Sequence, residues 1–487
     1  MKKRKNDRKI KSFIVFMVLS ILFFGCEKKD QEIVDGNNNS NQPLAPNTEG
    51  SVGPRGNYQD PTGSIYVATT GNDATATGTK EAPFKSINTA LANAEAGSTI
   101  VLMGGLYQEK ENVRVRIPNI TIKSAYGEWA IIDLTTYNKG ADEDSGVYFD
   151  VDSSGGKLQS VEVKGGFYAV ALETKWDWGD PNDRQGASNI IIEDCVLHDS
   201  RYDVVKVKPN CDNVIIRHNE IYNSGQAFIA NPLNGEDNAE GIDNVNGNNM
   251  AVYNNYIHDI RSTGIYAKGG ARNALIENNR IERVAAAGIM IGFDTSPEYF
   301  DIKVNPKYYE NIDGVIRNNL IIDTGWEGIG LYAAKDAQVY NNTLVDVAKG
   351  PYHSALYFGL TYQDWETYAG RPASISPKIH NNVIVQAATS DLAMLEIRYA
   401  NELGGMSALD GLPIMQENCY YIAGRKAEYN DNRPNSILEK GDLAAWQAHI
   451  KGDTGSIEID PLFDDDYLAT APQCAGWGIL LPLSTGR

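Results

Sequence analysis

Cysteine is scarce, with 5 in 487 residues, too few for a disulfide scaffold to organise a chain of this length. Positive charge is in deficit too: 44 Lys+Arg stand against 63 Asp+Glu, a formal net charge of −19. A nucleic-acid partner needs a basic face, and a charge of this sign repels it at long range. The apolar run Phe13–Phe24 has 12 residues, short of the about 20 that cross a bilayer. No Walker motif, HExxH or GxSxG occurs. What remains, 42% hydrophobic and 22% charged, is the composition of a folded chain. Its length exceeds the usual ceiling for one globular core, so it implies two domains or one elongated repeat.

Residues 2–11 hold seven Lys/Arg, followed by Phe13–Phe24 and then Gly25-Cys26. A basic stretch ahead of a short apolar one reads as a signal peptide over residues 1–25. Leu22-Phe23-Phe24-Gly25-Cys26 resembles a bacterial lipoprotein processing site. That resemblance implies Cys26 as the lipidated first mature residue and an outer-membrane anchor in the cell envelope. Cleavage removes the seven cations and Asp7 and takes the net charge from −19 to −25. Residues 26–60, rich in Asn, Gly and Pro, are expected to form a flexible tether, and 61–487 the folded domain.

The segments IIIEDCVLHD, VIIRHNEIYN, MAVYNNYIHD, ALIENNRIER, GVIRNNLIID, AQVYNNTLVD, PKIHNNVIVQ and PIMQENCYYI superimpose without gaps. Their shared column is Cys195, Asn219, Asn255, Asn279, Asn319, Asn342, Asn382 and Asn418, at intervals of 24, 36, 24, 40, 23, 40 and 36 residues. Apolar residues alternate within each unit, and a second short strand follows around Gly-Ile or its equivalent. Period-2 strands at a recurring spacing predict an all-β parallel solenoid, with the Asn column bonding from turn to turn inside it.

Ile65-Tyr-Val-Ala-Thr-Thr-Gly-Asn-Asp, Gly78-Thr-Lys-Glu-Ala-Pro-Phe, Ser86-Ile-Asn-Thr-Ala and Gly97-Ser-Thr-Ile-Val resemble the opening of right-handed parallel β-helix proteins of the pectate-lyase-like superfamily. Asp460-Pro-Leu-Phe463 resembles the terminal segment of many of them. The likeness spans about residues 64–475. It implies a capping helix over Phe84–Glu95 and a first coil closed by Gly104–Glu109. It implies no single reaction, because such folds host lyases, hydrolases, epimerases, esterases and non-catalytic adhesins.

Aligning the Gly-Ile strand across coils predicts an outward column Lys206, Asp243, Tyr266, Met290, Gly330, Tyr357, Glu396. Two residues on runs Lys208, Val245, Lys268, Gly292, Tyr332, Gly359, Arg398, and just before the strand Asp203, Glu240, Thr263, Ala287, Glu327, Ser354, Ala393. Two clusters result. One gathers Asp203, Lys206, Lys208, Glu240, Asp243, Tyr266 and Lys268; the other gathers Glu327, Tyr332, His353, Tyr357, Glu396 and Arg398. Loops 173–188, 293–313, 360–376 and 399–412 leave this strand and 225–239 enters it, so they wall a groove over these columns. Trp176, Trp178, Tyr299, Phe300, Tyr308, Tyr309, Tyr362, Trp365 and Tyr368 lie on them, rings suited either to sugar faces or to small cores under the loops.

β-Elimination from a uronic acid needs a cation for the carboxylate, a base for the α-proton and an acid for the leaving oxygen. Lys268 and Tyr266 are expected as base and acid, with Lys206 and Lys208 neutralising the carboxylate. Glu240 and Asp243 are expected to orient these lysines or to bind Ca²⁺, since hard oxygens suit that ion. Tyr332, His353, Tyr357, Arg398 and Trp365 are expected substrate contacts. The partner is then an acidic polysaccharide or oligosaccharide met by a monomer, with a sugar or water as leaving group. Two other classes stay open: a glycoside hydrolase using a carboxylate pair such as Asp203/Glu240, and a non-catalytic glycan-binding lipoprotein. His198, Tyr222, His258 and Glu282 share an outward column on another strand and read as surface residues. Cys195 reads as a packed thiol, and a Cys195–Cys211 disulfide is conceivable in the envelope.

Overall fold

Each turn of the chain carries three short strands, and like strands of successive turns pair in parallel into three sheets of twelve, except that Leu438–Gly441 ends the third sheet antiparallel to Tyr429–Asp431. In the computed structural model, which describes residues 51–54, 56–136, 144–176, 184–361, 371–388, 390 and 392–485, one sheet runs from Ile65–Val67 to Ile414–Gln416. The second runs from Gly105–Gln108 to Ile457–Glu458, and the third from Val113–Val115 to Leu438–Gly441. The described residues all belong to one unit, Pro43–Arg487. The protein is a right-handed parallel β-helix whose core is a single column of Ile, Val and Leu.

The doubled asparagines of the repeat have two separate causes. The first residue of each pair sits at the corner between the first and second sheets with a positive φ: Asp194 55°, His218 54°, Asn254 57°, Asn278 53°, Asn318 54°, Asn341 53°, Asn381 54°, Glu417 53°. Asn and Asp tolerate this left-handed backbone better than other residues with a Cβ. The second residue points inward. Asn255 Oδ1 accepts from Asn219 N and Nδ2, both at 3.0 Å, and its own Nδ2 donates to Asn279 Oδ1 at 3.0 Å. The same bonds continue to Asn418, where Ser456 Oγ and Asp453 Oδ1 end the ladder.

Eight repeats were legible and twelve strands stack in each sheet. The additional strands of the second sheet, Gly105–Gln108, Ala130–Leu134, Glu162–Gly165 and Ile457–Glu458, lie beyond the Asn ladder, so the column that betrays the repeat is missing from them. The capping helix is Ile87–Ala92, shorter than Phe84–Glu95, because Ser86 caps it by accepting from Thr89 N and Phe84 bridges Val67 instead. Ile87, Ala90 and Leu91 seal that end. A second helix, Leu443–Ile450, buries Trp446 at the other end, its indole stacked on Tyr429.

The expected tether boundary at 60 moves. Ser51–Val52 pairs with Ser484–Thr485, Val52 packs with Leu320, Ile479 and Leu483, and Asp60 reaches the buried Lys123 at 2.6 Å. Residues 56–60 therefore lie on the solenoid rather than hanging free, because Tyr58 and Asp60 find polar partners on it in Asp194 and Lys123. Cys26 and the signal segment lie outside the described residues. Among the described residues no helix is long and apolar enough to cross a membrane.

Candidate active site

The third sheet orders its outward side chains as the alignment predicts: Lys206 pairs with Asp243, Asp243 with Tyr266, Tyr266 with Met290, Met290 with Gly330, Gly330 with Tyr357 and Tyr357 with Glu396. Adjacent members are about 4.8 Å apart along the axis. The two clusters are not isolated, since Tyr266, Met290, Tyr332 and Tyr357 form one apolar belt with Phe293 and Trp326.

In the first cluster the cations are already engaged. Lys206 Nζ donates to Asp203 Oδ2 at 3.1 Å and to Asp243 Oδ2. Burial opposes its charge, but these two carboxylates outweigh burial and hold it well above the ordinary lysine range. Lys206 is therefore no base, and its charge is spent within the protein. Lys208 Nζ bonds Glu173 Oε2 at 2.8 Å. Tyr266 is 4% exposed, its hydroxyl accepts from Asp294 N at 2.9 Å, and burial together with Glu310 pushes its pKa well up. These contacts leave Tyr266 ill placed to act as base or acid. Lys268 is held most loosely, its ammonium 3.9 Å from Asp243 Oδ2 and 3.9 Å from the Tyr266 ring centroid.

Asp203, Glu240 and Asp243 are buried, with carboxylate oxygens within 4.8 Å of one another. Burial and the Asp203 charge drive the Glu240 pKa well up. Asp203 is held low despite its burial, by Lys206 and by its hydrogen bonds from Glu240. Fully ionised, the trio would leave Glu240 Oε2 and Asp243 Oδ1 without a donor. The three converging carboxylates are hard donors of the kind Ca²⁺ takes, although the Lys206 ammonium already occupies one oxygen on Asp203 and one on Asp243.

The second cluster is built differently. Glu327 is fully buried; its Oε1 accepts from Tyr332 Oη at 2.8 Å, and its Oε2 lies 2.6 Å from His353 Nδ1. An ionised carboxylate only accepts, so Nδ1 carries the hydrogen and Nε2 is left as the basic nitrogen. No protein partner meets Nε2 among the described residues. Trp326 stacks on the imidazole, with centroids 4.9 Å apart and planes within 7°. The Tyr357 ring lies 5.3 Å from His353, and burial raises its pKa although Arg398 pulls it down. Arg398 is a third exposed and touches Glu396 at 3.4 Å. Tyr332, expected at the substrate, is instead 3% exposed and supports Glu327.

Trp326 escaped the sequence reading. The available signal was a Gly-Trp-Glu at the corner where other coils carry Arg-Ser-Thr or three alanines. On the walls, Phe300 and Tyr308 fold back on each other at 5.3 Å beneath Arg371, making a loop core rather than a sugar platform. Trp178, Tyr362, Trp365, Tyr368 and the Trp176 side chain lie outside the described residues. His198, Tyr222 and His258 share a column as expected, but stack face to face with His198 and His258 largely buried. Cys195 Sγ donates to Glu193 O and Cys211 Sγ to Glu173 O, and both thiols are free, so the two do not pair.

The class these features define is a right-handed parallel β-helix. Residues 185–361 match the family model of a right handed beta helix region, and residues 69–130 that of a protein family of unknown function, DUF1565. No curated protein sequence matches the chain. Among solved structures it is similar to pectate lyase Pel9A (TM-score 0.48, 15% identity, 68% of this chain and 77% of that one). It is also similar to the A-module of the Azotobacter vinelandii mannuronan C-5 epimerase AlgE4 (0.45, 13%, 75% and 89%). A third similar structure is PfbA, a surface adhesin of Streptococcus pneumoniae (0.43, 12%, 73% and 90%). At these identities the likeness concerns the fold alone.

Proposed function

We propose that the protein is a carbon–oxygen lyase that cleaves a uronic-acid-containing glycan by β-elimination, with the centre at His353, Tyr357 and Arg398 rather than at Lys268 and Tyr266. One observation carries this reading: a half-buried imidazole anchored through Nδ1 on a buried carboxylate, its Nε2 without a partner among the described residues, beside a tyrosine and a partly exposed guanidinium. Arg398 neutralises the sugar carboxylate and so acidifies C5–H. His353 Nε2 takes that proton, the C4–O bond breaks as the C4=C5 bond forms, and Tyr357 Oη protonates the leaving oxygen. The leaving group is a sugar or water. Ca²⁺, where bound, would be held by Asp203, Glu240 and Asp243 and would supply positive charge there.

The test is a panel of uronate glycans, with and without chelator, followed by the ultraviolet absorbance of the conjugated double bond. Glu327→Gln is expected to lower kcat by about 10²–10⁴, since an amide turned toward Nδ1 moves the ring hydrogen to Nε2. Reducing ends released without new absorbance would refute elimination. That outcome favours a second reading, hydrolysis by a carboxylate pair, for which Asp203 and Glu240 lie side by side.

A further inference from the structure

A cleft of about 700 Å³ lies between the 223–234 segment and the corners at Gly325–Trp326 and Lys349–Pro351. Trp326 stacks on His353 and also lines the cleft. The charges around the cleft are matched among themselves: Arg261 with Asp237 at 2.6 Å, Arg283 with Asp259 at 2.8 Å, Lys349 with Asp323 at 2.6 Å. Its rim carries two apolar side chains turned to solvent, Ile229 at 69% and Leu233 at 65% exposure. A surface with no surplus positive charge gains nothing from a second carboxylate. Apolar faces bordered by paired charges and amides instead suit an uncharged sugar ring, whose C–H face is apolar and whose hydroxyls both donate and accept.

We propose that this cleft binds a neutral sugar adjoining the uronate, so that the substrate crosses the sheet edge at Trp326 and is a heteropolysaccharide rather than a homopolyuronate. The inference rests on the reading of His353 and Arg398 as the uronate site. Its test compares full-length protein on rhamnogalacturonan oligosaccharides with polygalacturonate and alginate oligosaccharides of equal length. Wild type is expected to favour a heteropolymer in kcat/KM by at least about tenfold. Leu233→Asp, an exposed change outside the catalytic group, is expected to erase that preference by raising KM for the heteropolymer only. Equal or better action on the homopolymers, or an equal loss on both classes, overturns the proposal. Calorimetric titration of His353→Ala separates the two readings. Heteropolymer binding that Leu233→Asp weakens supports the cleft even where no unsaturated product forms, and no binding of either class overturns it.

A separate observation concerns the C-terminal segment. Cys419, on a strand of the second sheet, and Cys474, on the returning tail, are both fully buried in one small cluster with Val383 and Ala471, and both are free thiols in this structure. We infer that these two form a disulfide in an oxidising compartment, pinning the tail to the solenoid. The two thiols lose two electrons and two protons, and an oxidant disulfide is reduced to two thiols. The full chain refolded in a glutathione redox buffer and digested without reduction is expected to yield a Cys419–Cys474 peptide, with Cys195 and Cys211 alkylated. Alkylation of both Cys419 and Cys474, or a different pairing, refutes it.

Discussion

Replacing Asn279 with alanine removes one rung from the middle of the ladder, and the cost can be counted. Asn279 Oδ1 accepts from Asn255 N at 3.1 Å and Asn255 Nδ2 at 3.0 Å, while its Nδ2 donates to Val252 O at 2.9 Å and Asn319 Oδ1 at 3.0 Å. Asn255 Nδ2 keeps Ile216 O and Tyr253 O, and Asn319 Oδ1 keeps Asn279 N, so these lose only part of their bonding. The buried Asn255 N–H loses its side-chain acceptor. One orphaned donor at about 1–3 kcal/mol, with three weakened groups at about 0.5–1 kcal/mol each, gives roughly 3–5 kcal/mol. Urea unfolding of wild type and variant measures it, and hydrogen exchange at Asn255 locates it: the amide should exchange through local opening in the variant. A loss below about 1 kcal/mol would show that the stacked strands, not the amides, set the register, and would refute the reasoning.

Three further outcomes follow from the same contacts. Cys195→Asn should be tolerated or stabilising by about 1 kcal/mol in thermal melts, because a ladder amide there would lie between Leu158 O, which Sγ already meets, and Asn219 Oδ1, which already accepts from Cys195 N. Asp60→Ala should cost about 3–5 kcal/mol by stranding the buried Lys123, and Lys123→Met should recover much of that loss in the double variant. Burial lifts Glu310 to about 7 even with Arg371 3.4 Å away. The folded state therefore holds a proton that the unfolded state, with its carboxyl near 4.5, has released. Stability from this group is fully present below about pH 4.5 and falls as pH rises through about 7. The melting temperature of wild type relative to Glu310→Gln should decline across that window; a rise would refute the assignment.

The fold was legible in the sequence wherever a side chain repeats at the same place in every turn. The alternating apolar strands and the column from Asn219 to Asn418 announce a parallel coil, because a ladder amide is satisfied only by the same amide one turn away. The outward columns were legible for the same reason: parallel pairing in constant register carries Lys206 onto Asp243 and Tyr357 onto Glu396. Only tertiary structure decided which of those residues are free. Lys206 and Lys268 look alike in a column, yet one donates to two buried carboxylates and the other rests 3.9 Å from one of them. His353 could have been any surface histidine until Glu327, from the preceding coil and 26 residues earlier, was seen to fix its Nδ1. Availability depends on distances between side chains of neighbouring turns and on what burial leaves unpaired, and a one-dimensional pattern records neither.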